Sequence, residues 1–203
     1  MTRCVYSNEA LEAIARKVIS QYDPSLLQAP APIPIESIIE NVYKLTIEFQ
    51  YLRKNGRVLG ETVFEDCMVP IYDRLTGEGY KLEPFSAGTI IIDAGLFNCR
   101  GDGRYAFTCA HELSHWVIDK DYFTRLGKTA AMNEKPYKSS ETDKAVERQA
   151  NRLGCRILMP KGTTKMAFYH NRNQKNILGY MANFFRVSEE AMEYRLNELG
   201  LLR

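Results

Sequence analysis

Apolar positions between Arg104 and Asp119 recur at helical spacing. Ala106, Ala110, Leu113 and Val117 are four, three and four residues apart, and the stretch holds no Pro and no internal Gly. One apolar face and a helix are predicted. Thr108, His111, His115 and Asp119 fall on a second stripe of the same helix. Glu147 to Pro160 also reads as a helix, with the small residues Ala150 and Gly154 on the Glu147 side, where another helix could approach closely. Upstream, Leu11, Ile14, Ala15, Val18 and Ile19 form the stripe of a first helix, capped by Ser7 or Asn8 and running to about Gln21. Asp23-Pro24 ends it. Pro24, Pro30, Pro32 and Pro34 mark an extended arm. Ile35 to Tyr43 is a second helix.

Strand signals take over next, period-two alternation in Thr46 to Leu52 and a β-branched run in Thr89 to Ile92. Thr46 to Leu52, Val58 to Phe64, Met68 to Tyr72 and Thr89 to Ile92 are strand candidates, with turns at Asn55-Gly56 and at Thr76 to Gly79. Tyr72 to Ala87 reads as an insertion, and Gly101-Asp102-Gly103 as a break. The fold class predicted is α+β: a small antiparallel sheet packed on the helix of His111 and His115, then a C-terminal helical hairpin. The domain division expected is 1–165 and 166–203. Tyr122 to Thr142 reads as a polar loop over a cleft, and the chain is expected to turn at Lys161-Gly162. The final hairpin comprises Ile177 to Phe185, a turn with Ser188 as cap, and Glu189 to Leu199, ended by Gly200.

Composition narrows the class. The 203 residues suffice for one domain with a core. Hydrophobic residues make up 45% and charged residues 26%, as in ordinary globular proteins. A net charge of +2, from 27 basic and 25 acidic residues, favours neither a nucleic-acid nor a membrane surface. Cys4, Cys67, Cys99, Cys109 and Cys155 are scattered and odd in number, which reads as reduced thiols. No signal peptide and no span is recognised, so a cytoplasmic location is expected. The second helix of the hairpin carries Glu189, Glu190, Glu193 and Glu198 against Arg195 alone. Phosphates would repel it, so direct DNA binding is not expected.

The candidate chemistry lies in His111-Glu112-Leu113-Ser114-His115. On a helix, two histidines four apart sit one turn above each other and can reach one ion. Zinc suits two neutral imidazoles, although Mn2+ or Fe2+ could use the same ligands. Glu112 projects beside the metal and can take a proton from the attacking water, then deliver it to the leaving amine. One zinc per chain needs a third protein ligand. Glu147 is the preferred candidate, and Asp143, Glu141 and Glu134 are rivals. Asn151 could hold a ligand imidazole by its ring N–H. His170, Tyr169 or Tyr137 could stabilise an oxyanion. Val58 to Phe64 or Thr89 to Ile92 could be an edge strand that takes up an extended peptide, although core strand suits both, and Thr89 to Ile92 better.

The run Arg104-Tyr-Ala-Phe-Thr-Cys-Ala-His-Glu-Leu-Ser-His-Trp116, with Glu147-x-x-Ala150-Asn151 and Leu158-Met159-Pro160, resembles the ImmA/IrrE family of metallopeptidases. The likeness is read from roughly Ile33 to the end. Ser114 stands where that family usually has Gly, and Leu153-Gly154 replaces its usual Phe-Ala pair. The resemblance implies a zincin-like fold of gluzincin type, with HExxH plus a downstream Glu, and makes Glu147 the third ligand. It also implies a zinc-dependent endopeptidase that cleaves a helix-turn-helix transcriptional repressor of a mobile element or stress response. The alternative is a catalytically silent, metal-stabilised protein-binding module.

Overall fold

The computed structural model describes residues 5–77, 79–99, 103–126 and 141–202. Helix α1 spans Asn8–Tyr22, and the Ser7 hydroxyl accepts from the Ala10 N–H at its start. Its buried face is Leu11, Ala15, Val18 and Ile19. Pro24–Leu27 forms a single 3-10 turn, and α2, Ile35–Ser37, continues as a π turn through Val42.

Among the described residues five strands follow: β1 Thr46–Gln50, β2 Gly60–Thr62, β3 Cys67–Tyr72, β4 Tyr80–Phe85 and β5 Thr89–Asp93. Their pairing corrects the expected antiparallel sheet. The order is β1-β5-β2, with β1 parallel to β5 and β2 antiparallel to it. Parallel neighbours need a long crossover, and the excursion through β2, β3 and β4 supplies it. The stretch Tyr72 to Ala87 is not a free insertion. It contains β4, which pairs antiparallel with β3 in a separate two-stranded sheet.

Every residue of β5 is buried, so it is the central strand and β2 is an edge. Alternation divides its side chains. Ile90 and Ile92 join the main core with α1 and the helices that follow, whereas Ile91 packs with Leu52, Val63, Val69, Ile71 and Phe85. The β3–β4 hairpin therefore covers one face of the mixed sheet and the helices cover the other.

Helix α3, Gly103–Leu126, carries the histidine pair, and α4 spans Glu141–Leu158. The expected loop from Tyr122 begins as helix. Residues 127–140, with the proposed covering role, lie outside the described residues. Helix α5 spans Lys161–Asn171 where only a turn was expected. Pro160 precedes it and accepts from the Thr164 N–H, while Thr163, Thr164 and Ala167 face inward. Helices α6, Ile177–Phe185, and α7, Glu189–Glu198, form the expected hairpin with Ser188 as cap. Their Met181, Ala182, Phe185, Met192 and Leu196 belong to the same buried cluster as α1 and α3. Gly103 sits against the α6–α7 turn, where a Cβ would lie 2.3 Å from the Val187 backbone. Among the described residues no helix is long and apolar enough to cross a membrane.

Candidate metal and catalytic centre

Helices α3 and α4 meet where both backbones are nearly bare. A Cβ on Gly154 would stand 3.2 Å from the Ala110 carbonyl carbon and the His111 nitrogen. Ala110 and Ala150 are fully buried at the same contact. This close approach places Asn151 and Glu147, one and two turns before Gly154, over the histidine stripe.

The three expected ligands come together. His111 Nε2 and His115 Nε2 are 3.0 Å apart. Glu147 Oε2 lies 3.3 Å from the first and 3.7 Å from the second. Asn151 Oδ1 is 2.9 Å from His111 Nδ1, as the sequence suggested. Asp119 does the same for His115, with Oδ2 at 2.8 Å from Nδ1, and is 1% exposed. That role was not read from the sequence. The available signal was its place on the histidine stripe, four residues after His115.

Electrostatics bind the cluster. Burial alone would lower the pKa of His115, but its hydrogen bonds to Asp119 and Glu147 and the charges of Glu112 and Glu147 outweigh it and lift it to about 9. Burial would raise Glu147, yet the two imidazoles hold its carboxyl well below the usual range. The three inner atoms all lie within 4.8 Å of one another. The outer nitrogens are held by oxygen acceptors, so the inner lone pairs are free for an ion. His111, His115 and Glu147 could hold a metal ion there. Replacing Asp119 with Ala should weaken zinc binding by about 10- to 100-fold, read by competition with a chromogenic chelator. Unchanged affinity would remove Asp119 from the site.

Glu112 is 5% exposed and faces the sheet. The Thr62 hydroxyl lies 2.7 Å from its Oε2 and 3.0 Å from its backbone oxygen. A Cβ on Gly60 would lie 2.6 Å from its Oε1. Neither residue was singled out from the sequence, where Thr62 stands fifty positions from its partner. Beyond Thr62, Phe64 stacks on Trp116 and Phe123 of α3, at 5.9 and 4.9 Å between centroids, and fixes β2 to that helix.

Other candidates fall elsewhere. Tyr169 and His170 are exposed on α5. Tyr137 and Glu134 lie outside the described residues, as do the side chains of Glu141 and Asp143. Cys109 is a buried apolar contact of the core. Burial pushes the Cys155 thiol up to about 12, so it is inert. Ser114 is fully buried and satisfies its hydroxyl on the Ala110 carbonyl at 2.6 Å.

Comparison with known proteins agrees with this geometry. The family model of the M78 peptidases, described as the IrrE N-terminal-like domain, matches residues 96–197. The match takes in α3 through α7 almost entirely and leaves the strands before it, a narrower span than the likeness read from Ile33 onward. No curated protein matches the chain. The matched span holds just over half the residues, including the histidine pair, Glu112 and Glu147, and on that ground the chain belongs to the IrrE N-terminal-like family of M78 peptidases.

Proposed function

We propose that the protein is a zinc-dependent endopeptidase that makes a site-specific cut in a helix-turn-helix repressor. The observation that supports the chemistry most is the convergence of His111, His115 and Glu147 on one point with the buried Glu112 in the same turn of helix. A zinc ion held by the three would supply Lewis acidity toward water and toward the scissile carbonyl. Glu112 accepts the proton of the attacking water and returns it to the departing amine. Asn151 and Asp119 keep the imidazoles in the tautomer that leaves Nε2 open.

The open edge of β2 suits an extended peptide. Val63 donates its N–H to Thr89, and Leu59 accepts from Asp93. Backbone groups alternate along a strand, so those of Gly60 and Thr62 face outward for strand addition. The repressor is the substrate that the family resemblance suggests. A partner role for DNA gains no support from α7, whose exposed Glu189, Glu190 and Glu193 would repel phosphate. A catalytically silent module is the second reading, and the buried carboxylate of Glu112 beside the ligands speaks against it, since a structural metal site has no use for a base.

Elemental analysis of the native protein and of Glu147→Ala tests the centre. About one zinc per chain is expected in the first, and strongly reduced zinc in the second. Incubation of the zinc-loaded protein with the repressor encoded beside its gene should yield one new pair of fragments, and a chelator should prevent it. No fragment with any metal would overturn the substrate assignment.

A further inference from the structure

We propose that Thr62 of the edge strand is a positioning residue for Glu112, so that the strand offered to substrate also sets the base. This rests on the peptidase reading above. Two residues of β2, Thr62 and Gly60, meet Glu112 on its sheet side. The Thr62 hydroxyl is the donor to Oε2 at 2.7 Å, and both residues are almost wholly buried, at 2% and 5% exposed. Gly60 leaves the space that Oε1 and the side-chain carbons occupy, where a Cβ would stand 2.6 to 2.9 Å from them. These two contacts direct the carboxylate, because a charge-assisted hydrogen bond is short and directional.

The same two residues turn their backbone groups to the open edge, while the residues between and beside them bond to β5. A peptide added at that edge would pull on Gly60 and Thr62, and through them on Glu112. The anchoring of β2 keeps that coupling tight. Phe64, two residues on, is clasped by Trp116 and Phe123 of the helix that carries Glu112. Among the described residues Thr62 hydrogen-bonds to Glu112 and to neither ligand histidine. Its removal should therefore alter the rate and spare the metal.

Thr62→Val keeps the shape and removes the donor. With the zinc-loaded protein and the repressor encoded beside its gene, the rate at saturating substrate should fall about 10- to 100-fold. KM should stay within about twofold, as for an interaction used in the transition state. Zinc content should be unchanged, and Thr62→Ser should recover most of the rate. In a Glu112→Gln background, Thr62→Val should cause little further loss, since the two act as a unit. Native rates in Thr62→Val, or full additivity with Glu112→Gln, would overturn the assignment.

A second readout needs no activity. Thr62→Val should lower the melting temperature of the metal-free protein by about 4–10 °C, and clearly less when Glu112 is Ala. If the native protein cleaves nothing, the peptidase reading fails, and the thermal cycle still decides whether Thr62 holds Glu112. Equal thermal shifts in both backgrounds would refute that contact.

Discussion

Glu112→Gln should cut peptide-bond hydrolysis by about 10²- to 10⁴-fold while zinc remains near one per chain. Gln has the same length and shape, keeps an oxygen for the Thr62 hydroxyl, and cannot accept the proton of the attacking water. The site around it should not move. His111, His115 and Glu147 converge without help from Glu112, and their outer atoms are fixed by Asn151 and Asp119. Metal content and melting temperature therefore separate a chemical loss from a structural one. The measurement is cleavage of the repressor followed by gel and mass spectrometry, beside elemental analysis of the same preparation. Retained cleavage would sink the assignment of Glu112 as base and move the search to another buried carboxylate. Loss of zinc together with cleavage would mean that the residue shapes the metal site instead.

The contrast between Glu147 and Thr62 shows what a sequence discloses about such a centre. His111, Glu112 and His115 share one helical turn, so their spacing alone puts them on one face. Glu147 lies on another helix, but small residues at its contact with α3 and a motif carried by resemblance marked it. Asn151 followed from the same helical period. Asp119 was visible as a member of the histidine stripe, although nothing in its spacing said whether it meets solvent or His115. Thr62 and Gly60 could not be found this way. Their partner is fixed by how β2 pairs with β5 and lies on α3, which no local period encodes.

The sheet tells the same story at larger scale. Four of the five strands among the described residues were located from the sequence, and the run of β-branched residues at Thr89 to Ile92 marked the buried central one. These signals did not fix direction. β1 lies parallel to β5 because the chain leaves the sheet, builds the β3–β4 hairpin, and re-enters from the same end. Tyr80 to Phe85 was missed because Lys81, Glu83 and Pro84 break its apolar pattern, yet Phe85 still reaches the core through pairing with Cys67.

Arg195→Ala should destabilise the fold by about 3–5 kcal/mol, the effect of removing one partner from a buried ion network. In the sequence Arg195 looked like the lone cation on an acidic helix surface. In the structure it is fully buried, as is Arg156 of α4. Its Nη2 lies 2.7 Å from Glu12 Oε1, its Nη1 2.6 Å from Glu198 Oε2, and its Nε donates to the Met159 carbonyl at 3.0 Å. Arg156 pairs with the same two carboxylates and takes the Asn8 side chain at 2.8 Å. Two cations and two anions thus tie α1, α4 and α7 together with no net charge. Deleting Arg195 leaves two carboxylates, each less than a fifth exposed, on one buried guanidinium, and strands the Met159 carbonyl at the end of the ligand helix. The melting temperature should fall by about 6–20 °C for a chain of this size, read by calorimetry. Adding Glu198→Gln to Arg195→Ala restores charge balance and should recover part of the loss. A shift under about 2 °C for Arg195→Ala would show the network to be solvated. Because α4 also carries Glu147, the same variant should loosen the metal only near its unfolding temperature; zinc loss in the fully folded protein would mean that the hairpin sets the position of the third ligand.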